Sequence, residues 1–255
     1  MGTGHGRHAL VTGGGQGIGA AIAKALVASG MRVTVLGRRL EVVQALAATD
    51  AEHLHAVAAD VSDPAQVTAA LDAARSRFGP IDVLVNNAGQ ALSAPFMKMD
   101  MALWQQMLAV NLTGTMVCTQ AVLPDMLNAK WGRIVNVAST AGQVGYAYVS
   151  AYCAAKHGVV GLTRSLALEL ATKGVTVNAV CPGYTETDIV RESIERVVLK
   201  TGRTHAQAMA EFVKSNPQGK LVQPQQVADA VAWLCCESAD AVTGQSLSIS
   251  GGEVM

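Results

Sequence analysis

Short, almost unbroken apolar runs alternate along this chain with longer stretches whose apolar residues recur every three or four positions. The runs are HALVTG (8–13), RVTVLG (32–37), HLHAVAAD (53–60), IDVLVNNAG (81–89), GRIVNVAS (132–139), VTVNAVCPG (175–183) and SLSIS (246–250). Runs of this length without polar alternation predict strands buried on both faces, as in a parallel sheet. Between them, GAAIAKALVASG (19–30) has helical spacing and closes on Gly30. Further helices are expected from about 40, over 64–78, around 101–127 and around 151–172. Asp63 before Pro64 supplies an N-cap followed by proline in the first turn. Repeated strand–helix alternation predicts an α/β fold, with helices on both faces of a sheet of about seven strands.

Thr185–Gln223 departs from the alternation. It reads as an insertion of one or two helices, DIVRESIERVVLK and THAQAMAEFVK. Their apolar residues Ile189, Val190, Ile194, Val197, Val198, Met209 and Phe212 recur at helical spacing. A substrate lid and an ordinary packed helix pair both fit this pattern.

Composition narrows the function. The 255 residues are half hydrophobic, enough for one domain spanning 1–255 with the insertion at about 185–223. Nineteen basic residues balance nineteen acidic ones, so no basic field is available for nucleic acid or an anionic membrane. No apolar run is read as long enough to cross a membrane, and no signal peptide is expected. Five cysteines without a C-x-x-C spacing argue against a disulfide framework or zinc site. The expectation is reduced core thiols in a cytoplasmic protein. His5, His8, His53, His55 and His205 are too scattered for a metal site, and none is expected.

VTGGGQGIG joins the first strand to the first helix. Gly13, Gly17 and Gly19 stand at G-x-x-x-G-x-G spacing. Glycines let the backbone turn tightly and bring N–H groups to a pyrophosphate, and the helix N-terminus behind them favours negative charge. Gly14 and Gly15 need serve only close packing. At the end of the second strand, a carboxylate would accept from the ribose hydroxyls of NAD, whereas a 2′-phosphate wants arginine. Gly37 stands there, followed by Arg38 and Arg39, which predicts NADP(H), with NAD(H) as the alternative.

Tyr152 and Lys156 lie four residues apart in an expected helix, hence on one face. With TGGGQGIG, AADV (58–61), NNAG (86–89), VNLTG around Asn111, VAS with Ser139, YCAAK and CPGYTET in that order, the chain resembles the short-chain dehydrogenase/reductase family from about Arg7 to Gly252. That resemblance implies a Rossmann fold and a hydride-transfer enzyme. It implies that Tyr152 is the acid–base group and that Lys156 lowers its pKa and binds the nicotinamide ribose. Ser139 would hold the substrate oxygen, and Asn111 a water in a proton relay. It also implies cofactor contacts at Gly13, Gln16, Gly17, Ile18 and Gly19, at Asp60 and Val61, and at Asn87, Ala88 and Gly89. Pro182, Gly183 and Thr187 match the segment beside the nicotinamide. Many NADP-using members carry a basic residue where this chain has Gln16, so the cofactor expectation leans on Arg38. A homotetramer built on the helices around 101–127 and 151–172 is also implied.

The second half resembles bacterial 3-oxoacyl reductases and actinorhodin-type polyketide ketoreductases, through RIVNVAST, KHGVVGLT, ELATKGVTVNAVCPG and AVTGQSLSISGG. The part from Thr204 also resembles 3-hydroxybutyrate dehydrogenases. Ala91, Ala141 and Val149 stand where those enzymes hold a small carboxylate, and none can pair with one. The expected pocket residues are Ala141, Val144, Tyr146, Val149 and Tyr184. They point to a 3-oxoacyl thioester or polyketide-like ketone. The alternatives are an NAD(H)-dependent secondary alcohol or cyclic ketone dehydrogenase and, in another class, a non-catalytic cofactor-binding sensor.

Overall fold

The computed structural model describes residues 6–255, without the side chain of Ile189. His5 and that side chain, both named above, lie outside the described residues. Strands β1 (His8–Thr12), β2 (Arg32–Gly37), β3 (Leu54–Ala58), β4 (Val83–Asn86), β5 (Gly132–Val137), β6 (Val175–Pro182) and β7 (Ser246–Ile249) form one sheet. All pairings are parallel, in the order β3-β2-β1-β4-β5-β6-β7. Every residue of β1, β4, β5 and β6 is buried, which is why their sequences read as continuous apolar runs.

The helices are α1 (Gly17–Ala28), α2 (Leu40–Ala47), α3 (Pro64–Phe78), α4 (Met101–Leu108), α5 (Gly114–Ala129), α6 (Ser150–Leu170), α7 (Asp188–Thr201), α8 (His205–Val213) and α9 (Pro224–Leu234). On one face, Ile22 and Leu26 of α1 meet Val227 and Val231 of α9. On the other, Leu71 of α3 packs with Val122 and Met126 of α5 and Leu170 of α6. Asp63 caps α3 as expected, accepting from the Ala65 and Gln66 amides. Helix α1 has no such cap: the Gln16 side chain accepts nothing from its first turn.

Met101–Ala129 is one helical stretch, in which a π turn over Ala109–Thr113 separates α4 from α5. By length and composition it could cross a membrane, which corrects the expectation that no segment reaches that size. Polar residues interrupt its apolar runs, so no single run reveals the length. Met107, Cys118, Val122 and Met126, all fully buried, turn inward.

The insertion carries α7 and α8. Its two ends are tied together where the Glu186 amide donates to the Val222 carbonyl and the Val222 amide to the Tyr184 carbonyl. Ile194 and Ala208 are buried, and Tyr184 meets Phe212 edge to face at 5.2 Å. The five cysteines are free thiols, and four of them are buried.

Candidate active site

The strand order reverses between β1 and β4, and a cavity of about 700 Å³ opens at their C-terminal ends. Local chemistry holds this crevice in shape. The Thr12 hydroxyl accepts from the Asn87 and Ala88 amides, while the Asn87 side chain donates to the Thr12 and Gly13 carbonyls. Gly13 and Gly17 have φ of +62° and +55°, a region that glycine enters freely. A Cβ on Gly19 would collide with the Gly13 carbonyl, so this glycine sets how closely α1 approaches β1. Gly14 and Gly15 press against Val35 and Val42, the packing role allowed for them.

Nearly every expected cofactor contact faces this one cavity. Gly13, Gln16, Gly17, Ile18 and Gly19 line it beside the uncapped start of α1. Arg38 and Arg39 line the end near β2, and Arg39 donates to the Gln16 side chain at 2.8 Å. Asp60, Val61, Asn87, Ala88 and Gly89 form the middle, and Pro182, Gly183 and Thr187 the far wall. Free helix N–H groups, bare glycines and two arginines make a donor set that fits a phosphorylated dinucleotide.

Asn111, Ser139, Tyr152 and Lys156 stand together on the same cavity. The π turn carries Asn111, which is fully buried. Its amide donates to the Gln90 and Met107 carbonyls at 2.9 and 3.0 Å. A Cβ on Gly89 would fall 2.8 Å from Asn111 Oδ1 and 3.6 Å from Lys156 Nζ, so the bare glycine is what lets Asn111 approach this turn so closely. Ser139 follows β5 by two residues and accepts from the Ala141 amide at 3.1 Å. Lys156 Nζ lies 5.7 Å from the Tyr152 ring centroid and donates to the Val137 carbonyl at 2.8 Å.

Burial acts on both members of the Tyr152–Lys156 pair. Burial pushes the Tyr152 phenol above its ordinary pKa, and the hydrogen bond with Ser139 offsets only part of this. Burial also lowers the Lys156 pKa, to about 8. The pair therefore presents a protonated phenol beside a lysine that keeps its charge up to about pH 8.

The expected substrate residues sit elsewhere. Ala141, Val144, Tyr146, Val149 and Tyr184 do not line the main cavity. They lie beyond Ser139 and Gly183, where Val144 and Tyr184 are exposed and Ala141 is buried. Sequence reasoning missed Thr12, the Val137 carbonyl and Glu253. Thr12, beside the glycine turn, had a local signal; a backbone carbonyl carries none. Glu253 bonds Tyr146 across 107 residues at 2.6 Å.

The chain is similar to known proteins along almost its whole length. Residues 7–197 match the family model for short chain dehydrogenase. The chain is 40% identical over 257 residues to D-beta-hydroxybutyrate dehydrogenase of Cupriavidus necator, with 98% of each chain covered. It is 39% identical over 253 residues to the 3-oxoacyl-(acyl-carrier-protein) reductase of a Synechocystis species, covering 97% of this chain and 96% of that one. Among solved structures, a variant of actinorhodin polyketide ketoreductase with NADPH matches at a TM-score of 0.92 and 39% identity, over 97% of each chain.

Proposed function

The chain belongs to the short-chain dehydrogenase family, and on that footing we propose that it is an NADP(H)-dependent ketoreductase acting on a 3-oxoacyl thioester or polyketide-like ketone. Its class, an oxidoreductase interconverting CH–OH and C=O, follows from the family and the relatives. One observation carries the finer reading: a single cavity holds Arg38 and Arg39 at one end and Ser139, Tyr152 and Lys156 at the other.

Bound nicotinamide supplies or accepts the hydride at the substrate carbon. The protein's part is positioning and proton transfer. The Ser139 hydroxyl orients the carbonyl oxygen, and the Tyr152 phenol, kept protonated by burial, donates its proton to that oxygen. Lys156 stabilises the resulting phenolate. A water held between Asn111 and Lys156 would return the proton to the phenol. At the other end, Arg38 and Arg39 favour the 2′-phosphate because no carboxylate stands at Gly37 to repel it.

The relatives named for 3-oxoacyl and polyketide substrates support a thioester-borne ketone. The one named for hydroxybutyrate supports the same chemistry at carbon. Its free acid, however, finds no partner at Ala91, Ala141 or Val149. The α7–α8 insertion would cover the substrate as a lid. Steady-state reduction of acetoacetyl-CoA and of 1-decalone, each with NADPH and NADH, tests the reading. Turnover of the thioester with NADPH preferred is expected. No turnover of any 3-oxoacyl thioester refutes the substrate class, and a large preference for NADH refutes the cofactor.

A further inference from the structure

Glu253 is placed by the turn that follows β7. Gly251 and Gly252 take φ of +63° and +94°, and the turn lies against Asn216 and Pro217, just beyond α8. This delivers the Glu253 carboxylate between the insertion and the substrate side of the site. Its Oε1 accepts from the Tyr146 hydroxyl at 2.6 Å and from the Ser215 hydroxyl at 2.7 Å. Tyr146 in turn bonds Thr140, the residue after Ser139. The other oxygen, Oε2, lies 2.8 Å from where a Cβ on Gly183 would stand. Gly183 lines the same cavity as Tyr152 and Lys156.

Two hydroxyls thus fix one oxygen of this carboxylate, while among the described residues no donor reaches the other. No lysine or arginine among them pairs with it. The groups shown near it, Tyr146, Tyr184 and Ser215, are uncharged. A half-buried negative charge held in place beside these rings is partly screened and acts on an anion brought close to it. It repels a second carboxylate and is tolerant of an ester or thioester carbonyl.

We propose that Glu253 is a specificity-determining residue that closes this site to ketones bearing a free carboxylate near the carbonyl and leaves it open to neutral esters and thioesters. The inference rests on the ketoreductase reading above and adds a repulsive element to it.

The test compares matched acid and ester pairs with NADPH: acetoacetate with methyl acetoacetate, and 4-oxocyclohexanecarboxylate with its methyl ester. Values of kcat/KM are measured for the unaltered protein, Glu253→Gln and Glu253→Met. Glutamine keeps an oxygen for Tyr146 and Ser215, and NADPH fluorescence confirms that each variant is folded. In both variants the acid should gain about tenfold relative to its ester, the scale of a like charge removed from a partly screened site. An unchanged ratio, or one that shifts only because the ester is lost, overturns the proposal and leaves the ketoreductase reading standing. If only the cyclic pair is turned over, the ratio within that pair still decides the role of Glu253. If no ketone is reduced by any of the proteins, both readings fall.

Discussion

Replacing Lys156 with methionine removes a cation from a position only 5% exposed. Burial lowers the lysine pKa from 10.5 to about 8. Between those two values the unfolded chain holds this proton and the folded chain does not. Each pH unit of separation corresponds to about 1.4 kcal/mol, so below pH 8 the charged ammonium costs the fold about 3 kcal/mol relative to the neutral amine. A group whose folded pKa is depressed in this cationic sense destabilises most at low pH. The cost fades as pH rises towards the unfolded value, because stability increases with pH wherever the unfolded state binds more protons. By pH 9 about 2 kcal/mol should remain. Methionine fills similar space but leaves the Val137 carbonyl without its donor, a loss of about 1–3 kcal/mol that does not depend on pH. The difference in unfolding free energy between Lys156→Met and the unaltered protein should therefore move by about 1 kcal/mol against the variant from pH 7 to pH 9. Urea unfolding at both pH values and fixed protein concentration measures it, and other titrating groups cancel in the difference. Parallel stability profiles, or a difference moving the other way, would refute the reasoning that the folded lysine titrates near pH 8.

Tyr152→Phe removes the proton donor and should lower kcat by about 10²–10⁴-fold, with NADPH affinity retained by fluorescence titration. Reduction by the unaltered protein should weaken above about pH 8 as Lys156 loses its charge, visible in a kcat profile from pH 6 to 10. Arg38→Ala should raise KM for NADPH by about tenfold or more while changing KM for NADH little, because only the former presents a 2′-phosphate. In Gly19→Ala, the new methyl meets the Gly13 carbonyl and the Asn87 amide, so a loss of about 1–3 kcal/mol is expected in chemical denaturation, together with weaker NADPH binding.

Much of this protein was legible from local sequence. The buried strands announced themselves as unbroken apolar runs, and Asp63–Pro64 marked the start of α3, because both signals are set by neighbouring residues. The glycine turn and the Tyr152–Lys156 spacing also depend only on nearby chain geometry. Tertiary structure decided what depends on enclosure and on contacts between distant segments. It put into the expected long helix the π turn that seats Asn111 against Gln90. It kept the Tyr152 phenol protonated and drew Lys156 down, since desolvation is a property of everything packed around a group and not of its sequence neighbours. It also brought Glu253 to Tyr146 and Gly183, a meeting that no periodicity encodes. Sequence supplied the groups for hydride-transfer chemistry; the packed fold set their charge states and the charge that a substrate meets on entry.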